Sequence, residues 1–283
     1  MKNTAILTLL LGALCSTLAA ANTDLENALT REYKDKVLIL RHPVPGDSLR
    51  FDSSGKLLKP RQEAPWTVDG AIAITYVEVT SKTLTIQGNR CWYGFDQRNA
   101  SFLPARTKSK NQVKIEVALD SPLNDLAQAD AVLDRVFVRD EQELITAVPE
   151  YWRPFLAKYY GRADLAKAAG ETTVSENARR QVVKLDPKTI KAPKPVFTPA
   201  PDLLYAQRSI PEIAEYTIRG VVVLNAIIDK AGKVLDPRIV RPIGFGLDEQ
   251  AIAAVQNWKF KPATSKGEPV AVEMGLEVQF NVN

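Results

Sequence analysis

The sequence predicts an α+β protein with an N-terminal, mostly β domain that ends in helices and a small C-terminal domain of strands and one helix. Two observations predict this class. The first is apolar and polar residues that alternate with a period of two over much of the first half. The second is a proline-rich stretch, Pro187 to Pro201, that separates the two regions. We expect a leader at 1–21, a β domain at 22–165, a linker at 166–200 and the C-terminal domain at 201–283.

Length, composition and net charge limit the type of protein further. The 283 residues suffice for two modest cores, and 45% hydrophobic with 25% charged residues is ordinary for a soluble globular protein. A net charge of +4 is mild and does not argue for a nucleic-acid partner.

The N-terminus reads as a secretory signal peptide. Lys2 precedes the apolar run Ala5–Leu18, and Ala19–Ala21 offers small residues for cleavage before Asn22. Two alternatives stay open: residues 5–21 retained as an inner-membrane anchor, or lipidation of Cys15, which Leu14 disfavours. Cleavage would leave Cys91 as the one cysteine, in a strand-like run where a buried position is expected.

The helices and strands of the first domain are predicted from the pattern of apolar, polar and turn residues. A short helix is predicted over 22–34, then strands at Val37–Leu40, in a hairpin around Asp52–Gly55, on both sides of Ser81–Lys82, and at Val113–Leu119. Asp140 can cap a helix over Glu141–Val148. Two aromatic groups could be ligand shelves, but core packing is the favoured interpretation for both: Tyr151, Trp152, Phe155 and Tyr159 in one, and Trp66, Trp92 and Tyr93 in the other.

The linker carries five prolines at positions 187, 193, 195, 199 and 201. Proline fixes φ and lacks an N–H donor, so this stretch is predicted to stay outside any sheet or helix. It would be extended over roughly 45 Å.

In the C-terminal domain, Gly220 opens a strand to Ile228, a turn follows at Asp229–Gly232, and a second strand runs over Lys233–Val240. A helix begins near Leu247, with Asp248 and Glu249 in its first turn. The helix face directed at the sheet is predicted to be Leu247, Ala251, Val255 and Trp258.

The last strand alternates over 13 residues, which predicts one buried and one solvent-exposed face. Its apolar members are Val270, Val272, Met274, Leu276, Val278, Phe280 and Val282. A sheet this small has edges, and a long exposed edge is either an aggregation hazard or a docking site for a partner strand.

About the last 80 residues resemble the TonB family. The resemblance is carried by Gly220–Val223, Asp229–Lys233, Gly246–Ile252, Trp258–Ala263, Gly267–Val270 and Leu276–Asn281. It implies structural motif roles for Gly220, Asp229, Gly232, Leu247, Asp248, Ala251, Trp258, Phe260 and Pro262.

The resemblance also implies a function. TonB proteins carry energy from the inner-membrane ExbB–ExbD complex to outer-membrane transporters, and their C-terminal domain pairs its last strand with a transporter peptide, the TonB box. The partner-binding residues would be Val270, Val272, Met274, Leu276, Val278 and Phe280, and the location would be the periplasm. Main-chain pairing tolerates different sequences, so several transporters could be served.

Two departures argue against coupling to ExbB–ExbD. The N-terminal segment has no histidine, and a short linker with a folded domain replaces a long arm. In a third departure, Ile210-Pro211 stands where the family often has Tyr-Pro, so the side-chain contacts of that tyrosine are not expected here. The alternative is a non-energised binding or scaffold protein that uses the C-terminal domain for assembly or for dimerisation through its edge strand.

The sequence gives little evidence for catalysis or for metal binding. The single histidine, His42, has no nucleophile motif near it, and the several His or Cys ligands of a metal cluster are missing. We therefore predict no enzyme activity, no cofactor and no metal. A basic run at Arg106, Lys108, Lys110 and Lys114 is interpreted as a solvated loop rather than a surface for anionic lipid or cell-wall polymer.

Overall fold

The protein is described by a computed structural model over residues 23–96, 101–106, 111–167, 182–201 and 218–282. The predicted signal peptide, residues 1–21, and the Ile210-Pro211 pair lie outside these described residues. The fold class is mixed α+β, as predicted, with N-terminal strands, intervening helices and an antiparallel C-terminal sheet.

The described elements run in the following order. The strands are β1 (Val37–Leu40), β2 (Ser48–Phe51), β3 (Ala71–Val79), β4 (Thr83–Asp96), β5 (Ser101–Arg106), β6 (Gln112–Ala118), β7 (Phe137–Val138), β8 (Val182–Val183), β9 (Ile190–Lys191), β10 (Lys194–Phe197), β11 (Ile218–Ile228), β12 (Val234–Arg241), β13 (Lys259–Lys261), β14 (Ala263–Ser265) and β15 (Glu268–Val282). The helices are α1 (23–33), α2 (Leu126–Val136), α3 (Glu141–Ala147), α4 (Arg153–Tyr159) and α5 (Leu247–Gln256).

The described residues form two compact units. The first takes the chain up to Cys91 together with Arg106–Arg139, and the second takes Trp92–Ala105 together with Asp140–Asn283. This division differs from the expected one, which placed the helices up to residue 165 in the first domain. The reason lies in aromatic packing, because Trp152 and Phe155 lie edge-on to Phe95, with ring centroids 5.9 and 4.9 Å away, inside the second unit.

The first unit is built on a sheet with the strand order β2-β6-β4-β3-β1-β7. Strands β3, β4 and β6 are antiparallel neighbours, whereas β2 joins β6 in parallel. The predicted hairpin around Asp52–Gly55 is only partly formed, because its return arm makes a single β-bridge, from Leu57 to Phe51. Helices α1 and α2 contribute Leu29 and Leu133 to the core of this sheet, and both are at most 1% exposed.

The core packing predicted for Cys91 and for two groups of aromatic residues is confirmed for most of these side chains. Cys91, Trp66, Trp92 and Trp152 are buried, while Tyr93, Tyr151 and Phe155 are half-buried. Tyr159 is the exception at 51% exposed, because the expected helix is split into a 3-10 turn at Glu150–Trp152 and the separate helix α4.

The second unit contains a sheet of order β12-β11-β15-β14-β9, to which β8 adds by pairing with β15. Helix α5 packs against β12, β15 and β11, and its residues Leu247, Ala251 and Val255 are fully buried. Trp258 lies beyond the end of α5, and its indole N–H donates to the carbonyl of Pro199 at 3.0 Å.

The prediction that the proline-rich stretch stays outside any sheet is wrong. Strand β9 pairs with β14, and β10 pairs with β13. Both are outer strands, and the register at β10 shifts between Pro195 and Phe197. A proline is tolerated at such a position because only one side of an outer strand needs its N–H donors.

Among the described residues, no helix is both long enough and apolar enough to cross a bilayer.

Candidate functional site

The central feature of the second unit is the long strand β15, whose residues Glu273–Val282 pair with a described strand on one side only. It pairs with β11 without a break from Val272, opposite Ile228, to Val282, opposite Ile218. On the other side, β8 pairs with Ala271 and Val272 in parallel orientation. Beyond Val272, no strand of the described residues pairs with that side. We call the main chain of Glu273–Val282 on this side the open edge.

The open edge offers main-chain hydrogen bonds. In a paired strand, alternate residues direct their N–H and C=O groups to opposite neighbours. About half of the residues from Glu273 to Val282 therefore turn these groups away from β11. Such a row of donors and acceptors is the template to which another extended chain can pair.

The side chains of β15 alternate between the core and solvent, as the sequence predicts. Val272, Leu276, Val278 and Phe280 are buried, and Val270 and Met274 are half-buried. The exposed residues of this strand alternate from Glu273 onward: Glu273, Gly275, Glu277, Gln279 and Asn281. The residues predicted to bind a partner thus hold the strand on the core, and what they can offer a partner is their main chain. Val272 is already paired on both sides.

A groove of 510 Å³ lies where β8 meets the start of the open edge. Its walls come from Val182–Leu185, Arg238 and Glu273–Gly275. Arg238 is held there by Glu273, with Nη2 to Oε1 at 3.1 Å, and by Asp236, with Nε to Oδ2 at 3.2 Å. The exposed face of the sheet is therefore charged and ordered at this end.

The turn between β11 and β12 is clasped to β13. Oδ1 of Asp229 accepts from the N–H groups of Ala231 and Lys233 at 2.9 and 2.8 Å. Gly232 has φ +81°, and an added Cβ would lie 1.7 Å from the carbonyl oxygen of Phe260. The Phe260 N–H in turn donates to the Gly232 carbonyl at 2.8 Å. Only glycine fits this approach.

Residues 211–282 match the family model described as Gram-negative bacterial TonB protein C-terminal. The chain carries a TonB C-terminal domain. A comparison with curated proteins found no match. Domains of this family are interaction modules of transport systems rather than enzymes, they work in the cell envelope, and they engage outer-membrane transporters.

The family-motif residues have structural roles in the TonB C-terminal domain. Asp229, Gly232 and Phe260 form the clasp, and Leu247 and Ala251 seat α5 on the sheet. Gly220 leaves room for Ile243, whose Cγ2 would be 3.1 Å from an added Cβ. The remaining motif members are half-buried near the end of the helix: Trp258 and Pro262.

Asp248 is a buried carboxylate that organises the loop before α5. It is fully buried, and its two oxygens accept from the N–H groups of Ile243 at 2.8 Å and Gly244 at 3.0 Å. Burial raises its pKa well above the ordinary value, and the neighbouring Glu249 raises it further, although the two N–H donors oppose this. The residue predicted from the helix dipole therefore acts mainly as a loop clamp.

Glu249 and Tyr151 form a second polar contact beside this clamp. The Tyr151 hydroxyl donates to Oε1 of Glu249 at 2.9 Å, while Oε2 of Glu249 is buried without a hydrogen-bond partner among the described residues. Burial raises the pKa of Glu249, and burial together with the two carboxylates raises that of Tyr151 well above its ordinary value. In both groups burial thus disfavours the charged form.

Sequence reasoning missed the segment Tyr93–Phe95 as a support of the TonB C-terminal domain. Phe95 donates its N–H to Ile243, and Phe245 donates its N–H to Tyr93, both at 2.9 Å. An added Cβ on Gly94 would fall 2.1 Å from the Phe245 ring. The signal available was the glycine inside an apolar strand, which often marks a close approach of other atoms.

The other candidate positions show ordinary surface or core surroundings. His42 lies on the surface, with Nδ1 2.8 Å from Oε1 of Glu63. Of the basic run, Lys108 and Lys110 lie outside the described residues, and Lys114 pairs with Glu116 at 2.6 Å. Within the described part of the chain, no group of three or more His, Cys, Asp or Glu residues could hold a metal ion.

Proposed function

We propose that this protein is a periplasmic adaptor that binds an extended peptide of an outer-membrane transporter, the TonB box, as an added strand on the open edge. The observation that carries the proposal is the asymmetry of β15, whose β11 side is paired to Val282 while its other side has no described strand beyond Val272. Main-chain pairing would supply affinity, and alternate side chains of the peptide would supply selectivity.

Strand β8 supports a parallel orientation for the bound peptide. It pairs in parallel with Ala271 and Val272 on the same side of β15 as the open edge. A peptide that continued this arrangement would follow β8 along Glu273–Val282. Its outward side chains would lie beside Glu273 and Glu277, so basic residues at those positions should strengthen binding.

The test uses the full chain, ¹⁵N-labelled, and a synthetic TonB-box peptide that carries one lysine for the position beside Glu277. We expect saturable amide shifts along Glu273–Val282. Glu277→Lys should weaken binding about two- to fivefold, since cross-strand charge pairs contribute roughly 0.2–1 kcal/mol. Glu268→Lys is the matched control, because it is equally exposed on β15 but lies where β14 pairs. Shifts confined to β12, or none at all, would refute the proposal.

A second candidate function is a non-energised scaffold. The first unit favours this function because it has its own buried core. In the sequence, this unit takes the place of the long extended arm by which TonB proteins reach out from the membrane. Sequencing of the mature N-terminus separates the two roles. A start at Asn22 in the soluble fraction supports the scaffold or accessory role, and a start at Met1 in the membrane fraction supports energy transduction.

A further inference from the structure

A pocket of 420 Å³ lies in the first unit, apart from the TonB C-terminal domain. Its apolar part is formed by Val44 and Phe51, which are 3% and 4% exposed, with Leu57 and Pro60 beside them. This volume lies within the range of small-molecule sites in proteins, roughly 300–1,000 Å³. The apolar wall would suit a hydrocarbon body.

Three cationic side chains also line this pocket: Lys56, Arg61 and Arg135. The two arginines are anchored to the main chain. Arg61 donates to the carbonyls of Pro45 and Ser48, the latter at 3.1 Å, and Arg135 donates to the carbonyl of Ser53. A guanidinium has five N–H donors, so each arginine keeps donors beyond these bonds. The two guanidinium groups are therefore positioned before any ligand arrives.

Gly46 allows the Arg61 anchor to form. Its φ is +119°, and an added Cβ would lie 1.8 Å from Nη1 of Arg61. The guanidinium thus crosses the loop directly over the glycine. The local backbone is shaped around this arginine.

The acidic groups nearby are already engaged. Glu63, the one carboxylate in the lining, contacts Nδ1 of His42 at 2.8 Å. Asp52, at the neighbouring turn, accepts from the Ser54 hydroxyl and from the main-chain N–H groups of Ser54 and Lys56, which hold its pKa below the ordinary value. The lining therefore keeps an excess of positive charge.

We propose that this pocket binds a small amphiphilic carboxylate, with its head group at Lys56, Arg61 and Arg135 and its apolar body against Val44, Phe51 and Leu57. A singly charged head matches the modest excess of positive charge, and guanidinium groups bind carboxylates through paired N–H donors. This site is independent of the peptide-binding function proposed for the TonB C-terminal domain.

The probe for the test is octanoate, titrated into the ¹⁵N-labelled full chain. We expect saturable shifts of the Ser54–Leu57 amides. Lys56→Glu should weaken octanoate binding about five- to tenfold, because it reverses a charge in a site that is partly screened by solvent. Lys59→Glu is the matched control, since Lys59 is exposed on the same segment but outside the lining, and it should leave binding unchanged.

Three results would each overturn the proposal. The first is no saturable shift with octanoate while amide spectra confirm a folded chain. The second is equal weakening by Lys56→Glu and Lys59→Glu, which would reflect overall charge rather than a site. The third is binding of 1-octanol as tight as that of octanoate, which would show that the anionic head plays no part.

Discussion

At the scale of single residues, two glycines distinguish two costs of replacing a glycine. One cost is backbone strain at positive φ, and the other is a clash between the added Cβ and neighbouring atoms. Gly232 and Gly267 have φ of +81° and +90°, but only Gly232 faces a main-chain oxygen where a Cβ would be, while nothing lies within 4 Å at Gly267. The clasp of the TonB C-terminal domain therefore requires that the Cα of residue 232 carry a hydrogen atom and not a methyl group.

Gly267→Ala should lower the free energy of unfolding by about 1–2 kcal/mol, the cost of a left-handed L-residue. Gly232→Ala should lower it by roughly 1–3 kcal/mol more, because Phe260 must also move. Urea unfolding followed by tryptophan fluorescence measures both. Equal losses would show that the contact with Phe260 contributes nothing.

The pair Asp248 and Glu249 predicts a pH dependence of stability. Their pKa values are raised in the folded state, so the stabilisation is complete below their unfolded values of about 4. It is lost as pH rises through the folded values. We expect Glu249→Gln, which keeps the acceptor for Tyr151, to flatten the fall in unfolding free energy as pH rises above about 4. An unchanged slope in that variant would mean that Glu249 does not hold its proton.

At the scale of elements, β8 occupies the side of β15 that a peptide would use. Because β8 covers Ala271 and Val272, the open edge begins at Glu273, and removing β8 should lengthen it by two residues that a peptide could then also use. In a parallel strand alternate residues face the neighbour, so one of Val182 and Val183 directs its N–H toward β15. Replacing both with proline removes that donor.

We therefore predict that Val182→Pro with Val183→Pro binds the TonB-box peptide several-fold more tightly than the unmodified chain, as measured by calorimetry. The control is Val182→Thr with Val183→Thr, which retains strand propensity and every N–H. Tighter binding in the threonine pair, or weaker binding in the proline pair, would mean that β8 does not compete with the peptide.

Much of the C-terminal domain could be predicted from sequence because its signals are local. The alternation in β15, the turn at Asp229–Gly232 and the buried face of α5 each follow from short-range pattern. The pairing of β10 with β13 could not be predicted, because it depends on which side of an outer strand Pro195 faces. The open edge itself was only partly predictable, since pairing partners lie far apart in the chain.

At the scale of the whole molecule, the division into units separates residues that are continuous in sequence. Tyr93–Phe95 continues strand β4 of the first unit, yet belongs by its contacts to the second. A fragment that begins at Asp140 would lack this segment and the hydrogen bonds it makes to Ile243 and Phe245. Alternation of apolar and polar residues could not reveal this, because β4 is one uninterrupted strand, and the local signal at this segment is Gly94.

We predict that the fragment 140–283 loses hydrogen-exchange protection at the Phe245 amide, which donates to Tyr93 in the full chain. The Asp229 amide, which donates to Lys233 within the clasp, is the internal control and should stay protected. Equal protection of Phe245 in fragment and full chain would show that the segment is dispensable.

The central claim is that β15 receives a peptide strand through main-chain hydrogen bonds on the open edge. Two sets of TonB-box peptides, N-methylated at alternate positions, test it most directly, because only alternate N–H groups of an added strand face β15. The account predicts that one set loses binding to the full chain and the other retains it. Retained binding by both sets, or loss by both, would contradict strand addition.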